Sequence, residues 1–138
     1  MQSPLKILFI DDHTGLRDGM IFMLQNRNPS LSIIGVGTIP EAVKKLNEDK
    51  DIKIVILDLN LDGENSLESV SKIKGANPDI LILIYTMYND DIHVEYALLI
   101  GVQGFITKEA SIDEVEKAIL AVGSGNTYYN SVASKVLH

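Results

Sequence analysis

Short runs of branched apolar residues recur along the whole chain. They occupy residues 5–10, 31–36, 52–57, 80–84 and 102–106. The runs are rich in isoleucine and valine, and they are nearly continuous rather than alternating. That pattern is typical of strands covered on both faces, as in a parallel sheet. The chain therefore predicts five buried parallel strands.

The segments between these runs have the periodicity of amphipathic helices. In the last of them, apolar residues recur at helical spacing at Ile112, Val115, Ile119 and Val122. Val94, Ala97 and Leu98 mark the inner face of a fourth helix. Five helices alternating with five strands predict an α/β fold, a (βα)₅ open parallel sheet with helices on both faces.

Three helix starts carry the capping-box spacing, in which a residue with a short polar side chain precedes a glutamate by three positions. The pairs are Thr38 with Glu41, Asn65 with Glu68, and Ser111 with Glu114. Pro40 lies in the first turn of its predicted helix, where a missing N–H group costs nothing.

Composition narrows the class of protein. The chain has 138 residues, 46% of them hydrophobic, which suits one domain with a full core. It has no cysteine, so disulfides and thiolate metal sites are excluded. A net charge of −7 disfavours direct binding to a nucleic-acid backbone. Residues 1–6 lack a secretory signal pattern and no apolar run approaches the ~20 residues of a membrane helix, so we expect a cytoplasmic protein without membrane contact.

Polar residues follow four of the predicted strands. Asp11 and Asp12 follow the first, Asp58 ends the third, Thr86 follows the fourth and Lys108 follows the fifth. Ligands of open parallel sheets bind beyond the carboxyl ends of the strands, where these side chains are expected to meet. Taken singly, each aspartate is equally explained as a turn or helix cap, and Lys108 as a surface lysine. Their combination at four strand ends favours a site.

Three neighbouring carboxylates repel each other, and a hard divalent cation relieves that repulsion. Mg²⁺ prefers oxygen ligands, and it binds through one or two carboxylates together with a phosphate. Lys108 offers a positive charge for a phosphoryl oxygen, and Thr86 offers a hydroxyl donor. A carboxylate in such a place can act as a nucleophile and form an aspartyl phosphate.

Four motifs resemble the response-regulator receiver domain of two-component signalling, a CheY-like (flavodoxin-like) fold. They are Phe-Ile-Asp-Asp-His at residues 9–13, Ile-Leu-Asp-Leu-Asn at 56–60, Ile-Tyr-Thr-Met-Tyr at 84–88 and Gly-Phe-Ile-Thr-Lys at 104–108. The subgroup looks like NarL/FixJ (LuxR-type). The resemblance implies a receiver domain over residues 1–123. Residues 124–138 are then either the tail of a stand-alone protein or, as we favour, the start of a linker to a DNA-binding helix-turn-helix output domain absent from this chain. A short helix is expected near 131–137.

The resemblance also implies a role for each site residue. Asp58 is the phosphoacceptor for a sensor histidine kinase, and Thr86 and Lys108 contact the phosphoryl group. Asp12, Asp58 and the backbone carbonyl of Asn60 hold Mg²⁺, for which Mn²⁺ can substitute, and Asp11 acts through water.

Further roles implied by the resemblance concern switching. Phe105 and Thr86 are the switch residues, although an ordinary aromatic at the edge of the sheet is a competing explanation for Phe105. Tyr88 and Asn60 tune dephosphorylation. The domain is then a transcription-regulating phosphoprotein, not an enzyme, that dephosphorylates itself and forms homodimers. Those dimers use either the first and fifth helices or the fourth helix and fifth strand.

The loop after Asp58 departs from the subgroup pattern. Asp62 stands where proline is usual, and Ser66 where a second glycine is usual. Glu109 rather than proline follows Lys108. Because of this altered loop, a second function remains possible: a binding module that no longer switches by phosphorylation.

Two other classes are weighed against the receiver. A haloacid dehalogenase-type phosphatase needs an Asp-x-Asp pattern after the first strand, whereas this chain has the adjacent pair Asp11-Asp12. A flavodoxin-like FMN site needs a phosphate-cradling loop rich in Ser, Thr and Gly, and no loop has that composition.

Overall fold

A computed structural model describes residues 4–59, 66–87, 95–97 and 99–129. Its strands are β1 (Leu5–Ile10), β2 (Leu31–Val36), β3 (Ile54–Leu57), β4 (Leu81–Thr86), β5 (Gly104–Thr107) and β6 (Tyr128–Tyr129). Its helices are α1 (Thr14–Arg27), α2 (Ile39–Glu48), α3 (Ser66–Ala76) and α4 (Ile112–Gly123), the last being the fifth helix of the sequence prediction. Residues 95–97 and Leu99 are also helical.

The strands form one parallel sheet in the order β2-β1-β3-β4-β5-β6. The chain therefore winds outward in one direction from β1 to β2, and in the other direction from β3 onward. Strands β1 and β3 are neighbours at the point where the winding reverses, with Ile10 beside Leu57. In sheets of this kind the crevice for ligands opens at that reversal.

Alternate side chains of each strand enter two separate cores. On one face, Ile7 and Phe9 pack with Met20 and Leu24 of α1 and with the apolar stripe of α4. The opposite face carries Leu8 and Ile10 against α2, α3 and Ala97. Burial on both faces explains why the strands have continuous apolar sequences. The α/β class with helices on both faces is confirmed.

The helix starts bear out two of the predicted caps. The Thr38 side chain accepts a hydrogen bond from the Glu41 N–H at 3.3 Å, and Ser111 accepts one from the Glu114 N–H at 3.2 Å. Asn65, Val94, Leu98 and the tail helix predicted near 131–137 lie outside the described residues or their described side chains.

The prediction of five strands was incomplete, because Tyr128–Tyr129 adds a sixth. Strand β6 is two residues long, so it has no apolar run to identify it. Its position depends on Gly104 and Phe105, which pair with Tyr128 and Tyr129 from more than twenty residues earlier in the chain. None of the described helices has the length and apolarity needed to cross a membrane.

Candidate functional site

The two buried acids of the site are placed by the pairing of β1 with its two neighbours, β3 for Asp58 and β2 for Asp11. The Asp58 N–H donates to the Ile10 carbonyl at 3.1 Å, and the Asp11 N–H donates to the Val36 carbonyl at 3.1 Å. The ladder hydrogen bonds thus continue one residue beyond each strand and hold both backbones. Asp11 and Asp58 are each at most 1% exposed. Two carboxylates are therefore fixed side by side at the carboxyl end of the sheet.

Lys108 offsets part of the negative charge of this pair. Its Nζ lies 3.3 Å from Asp11 Oδ2 and 3.2 Å from Asp58 Oδ2. The ammonium also lies 5.9 Å from the centre of the Tyr85 ring. The lysine is placed by its own backbone, since the Lys108 N–H donates to the Thr86 carbonyl at 2.8 Å. A single cation thus bridges two buried carboxylates.

His13 and Asp12 complete a cluster at the mouth of the crevice. One ligating atom from each of Asp11, Asp12, His13 and Asp58 lies within 4.8 Å of the others. The His13 N–H donates to Asp11 Oδ1 at 2.8 Å, and the ring Nδ1 lies 3.0 Å from the same oxygen. The sequence analysis assigned His13 no chemical role. Its position directly after two aspartates at a strand end is the signal that could have indicated one.

Arg17 binds the backbone of Asp11, one of the four residues of the cluster. Its Nη1 donates to the Asp11 carbonyl at 3.2 Å. The side chain lies against Gly35 of β2, where a Cβ atom would be only 2.7 Å from Arg17 Nε. Glycine at position 35 therefore leaves room for the guanidinium, a relationship between distant residues that the sequence analysis missed.

Thr86 and Phe105 are both fully buried, each with 0% exposure. Thr86 ends β4 beside Thr107 of β5, one residue before Lys108. Phe105 lies in the middle of the core, with its ring stacked on the ring of Tyr129. Asn60, Tyr88, Asp62 and the side chain of Ser66 lie outside what the structure describes, as does the proposed carbonyl ligand.

The charges in the crevice shift two pKa values. Burial raises the pKa of the Asp11 carboxyl, but hydrogen bonds from the His13 N–H and ring and the charge of Lys108 outweigh it. The pKa of Asp11 is consequently below its usual value. Burial, with the nearby charges of Asp11 and Asp58, raises the pKa of the Tyr85 phenol. Asp11 is thus held as a carboxylate that binds cations.

The donor set fits a hard divalent cation. Three of the four clustered groups are carboxylates, and the side chain of Asp12 is 34% exposed, so the cluster opens to water. Mg²⁺ favours oxygen ligands and keeps several waters, which matches a pocket that is open on one side.

Fold and cluster together define a class of protein: a doubly wound α/β domain with an acidic, lysine-bridged pocket at the point where the winding reverses. The family model described as "Response regulator receiver domain" matches residues 7–120. The chain belongs to this family. Receiver domains generally bind Mg²⁺ at the acidic pocket, and phosphorylation and output switching are general among them.

The relatives belong to the NarL/LuxR type. The nitrate/nitrite response regulator protein NarL of Escherichia coli K12 is 29% identical over 136 residues, covering 99% of this chain and 62% of the relative. The oxygen regulatory protein NreC of Staphylococcus aureus JH9 is 33% identical over 125 residues, covering 90% and 57%. The chain therefore spans about three fifths of the curated relatives that it matches.

A solved structure supports the same grouping. A LuxR-family two-component response regulator from Aurantimonas sp. SI85-9A1 superimposes with a TM-score of 0.86 at 26% identity, covering 98% of this chain and 96% of that one. The predicted resemblance to receiver domains of NarL/LuxR type is confirmed.

Proposed function

We propose that Asp58 is the phosphoacceptor of this receiver domain. The observation that carries the proposal is the placement of Asp58: a buried carboxylate at the end of β3, 3.2 Å from the Lys108 ammonium and itself part of the acidic cluster. Asp11 has the same burial and the same lysine contact, but it also receives two contacts from His13. The family resemblance, in which the aspartate at the end of the third strand accepts the phosphoryl group, selects Asp58 rather than Asp11 as the nucleophile.

The reaction is a phosphoryl transfer from a phosphohistidine. An Asp58 oxygen attacks phosphorus, the new O–P bond forms, and the P–N bond to the donor imidazole breaks. The released imidazole takes its proton from water. Lys108 shifts from the carboxylates toward the phosphoryl oxygens, whose charge it stabilises as a compact cation.

Asp11, Asp12 and Asp58 are the side chains that would hold Mg²⁺. A bound Mg²⁺ supplies positive charge for the phosphoryl oxygens during transfer. From the family resemblance, we assign direct binding to Asp12 and Asp58, with Asp11 acting through water. The Asn60 carbonyl is proposed as a further ligand from the family resemblance.

Phosphorylation is proposed to act as a switch. The Thr86 hydroxyl moves toward the new phosphate, and Phe105 responds through the core that it shares with β4. Both side chains are fully buried, so a change in either requires its neighbours to repack. Water later hydrolyses the acyl phosphate, which returns the domain to its starting state without an external enzyme.

Response regulators of this type pair with histidine kinases. We propose that a sensor histidine kinase is the donor here, in the cytoplasm, the usual location of such domains. Residues 124–138 are proposed to lead toward a DNA-binding output domain that regulates transcription, and any contact with DNA is assigned to that domain.

The phosphoacceptor is tested by treating the protein with Mg²⁺ and acetyl phosphate and measuring intact mass. Wild type is expected to gain one phosphoryl group that acid or hydroxylamine removes, and Asp58→Asn is expected to gain none. Asp51→Asn, which removes an exposed carboxylate, serves as the matched control. Labelling of Asp58→Asn at the wild-type rate would overturn the assignment.

Homodimerisation on phosphorylation is also part of the proposal. Two sets of large apolar side chains are exposed. They are Leu16, Phe22 and Met23 on α1 with Leu120 on α4, and Met87, Tyr96 and Leu99 in the connection between β4 and β5. Sedimentation of beryllofluoride-treated Phe22→Asp and Leu99→Asp separates them, because the substitution in the true interface keeps the protein monomeric. Dimerisation of both variants would exclude both surfaces.

A further inference from the structure

The geometry points to His13 as a nitrogen ligand that lets the acidic pocket bind Zn²⁺ in competition with Mg²⁺. This inference rests on the proposed cation pocket, but not on phosphoryl transfer to Asp58. It assigns a chemical role to a side chain that the proposed reaction does not use.

The His13 ring is turned toward the acids rather than toward its own helix. His13 occupies the N-cap position of α1, yet its side chain makes no capping hydrogen bond. Its Nδ1 lies instead 3.0 Å from Asp11 Oδ1, 3.2 Å from Asp12 Oδ1 and 3.9 Å from Asp58 Oδ2. One nitrogen therefore faces three carboxylate oxygens.

Those separations suit ligands of one ion. Donor atoms about 2.1 Å from a metal lie roughly 3.0 to 3.4 Å apart when they are adjacent in octahedral or tetrahedral coordination. The Asp11 and Asp12 oxygens are already at this separation from Nδ1, and the Asp58 oxygen has about half an ångström to close. The present hydrogen bond to Asp11 keeps the ring in place before an ion arrives.

Lys108 leaves this arrangement intact on the Asp11 side. The lysine contacts Asp11 through Oδ2, whereas His13 contacts the same carboxylate through Oδ1. Asp11 can therefore keep its lysine contact while its other oxygen turns to a metal. On Asp58, the lysine and His13 Nδ1 face the same oxygen, Oδ2, so that oxygen would be shared between the lysine and the ion.

The chemistry of the donor set then separates two kinds of ion. Mg²⁺ gains little from an imidazole, whereas Zn²⁺ and its neighbours in the first transition row bind imidazole well. Four protein ligands close a zinc site, while a catalytic site keeps one position open for substrate. Zn²⁺ bound through Asp11, Asp12, His13 and Asp58 is therefore expected to exclude Mg²⁺ rather than to replace it in phosphoryl transfer.

The test measures Zn²⁺ and Mg²⁺ affinity by calorimetry on untagged protein at one neutral pH. We expect His13→Ala to lower the ratio of Zn²⁺ to Mg²⁺ affinity by about tenfold or more. His93→Ala, which removes a different histidine of the sequence, is the matched control. An unchanged ratio in His13→Ala, or the same loss in His93→Ala, would overturn the inference.

A spectroscopic readout separates this inference from the proposed function. Co²⁺ in place of Zn²⁺ should give visible absorption bands whose position changes in His13→Ala. Mg²⁺-dependent labelling of wild type by acetyl phosphate should slow when Zn²⁺ is added. Normal labelling with no Zn²⁺ effect contradicts the role of His13 alone, whereas absence of labelling without Zn²⁺ contradicts the proposed function.

Discussion

The rings of Phe105 and Tyr129 lie parallel, with 6.4 Å between their centroids and 4° between their planes. The Tyr129 hydroxyl donates to the Val102 carbonyl at 2.9 Å, which fixes the ring over Phe105. The proposed switch residue is thus in direct contact with the last described residue of the sheet. A change in the packing of Phe105 would therefore directly affect Tyr129, and through it the residues that follow Tyr129 in the chain.

Tyr129→Phe is expected to lower the free energy of unfolding by about 0.5–1.5 kcal/mol, because it removes one part-buried hydrogen bond and keeps the stack. Urea denaturation measures the loss. Tyr96→Phe, which alters an exposed tyrosine, is the matched control. An equal effect of the two substitutions would mean that the bond to Val102 adds nothing.

Lys108→Met is expected to destabilise the metal-free protein by about 1–3 kcal/mol, because two buried carboxylates lose their cation. Millimolar Mg²⁺ should recover more of the melting temperature in this variant than in wild type, since the ion takes over the same role. Lys117→Met serves as control, as it breaks an exposed pair with Asp113 one helical turn away. A loss that ignores Mg²⁺ would argue against a shared cation pocket.

The lowered pKa of Asp11 predicts a pH dependence of stability. The folded state favours the ionised form of Asp11 more than the unfolded chain does. The resulting contribution to the free energy of unfolding is fully present above the unfolded pKa of about 3.9. It is lost as pH falls from there through the lower pKa of the folded state. Urea unfolding in chelator should therefore show a shallower loss of stability in acid for Asp11→Asn than for wild type, with Asp79→Asn, at an exposed position, controlling for removal of one charge.

Gly104→Ala should cost about 1–3 kcal/mol through overpacking. A Cβ atom at this position would overlap Leu83 Cδ1 and lie 3.1 Å from Val122 Cγ2. Adding Leu83→Val removes the nearest atom, so the double variant should lose less than the sum of the two single losses.

Gly19→Ala makes the opposite prediction and serves as the control. An added Cβ there meets nothing within 4 Å, and position 19 lies inside α1. The substitution should stabilise the helix by up to about 1 kcal/mol.

Much of this fold was predictable because its main determinants are local. Continuous Ile- and Val-rich runs predicted the buried strands, and Thr38 and Ser111 predicted two helix starts through bonds to residues three positions away. Strand β6 escaped prediction because Tyr128 and Tyr129 are placed by a partner strand far away in the sequence. Tyr128 packs on the α4 side of the sheet and Tyr129 on the other.

The site divides in the same way. Asp11, Asp58 and Lys108 were predicted to lie at the carboxyl end of the sheet, because parallel strands all end at the same edge. The orientation of the His13 ring and the packing of Arg17 against Gly35 depend on contacts between different elements. Sequence spacing alone does not predict such contacts. The sequence pattern correctly predicted that the acids meet at the crevice, but the distances between their side chains could be read only from the structure.

Strand β6 has a further consequence for the behaviour of the protein in solution. Without it, β5 would be an edge strand, with unpaired N–H and C=O groups next to the apolar Phe105 ring. Such edges act as templates on which other chains add strands and aggregate. A chain shortened to end at residue 127 should therefore form oligomers at lower concentration than the intact one, a change that light scattering would detect. Two tyrosines would thus protect the β5 side of the sheet from aggregation.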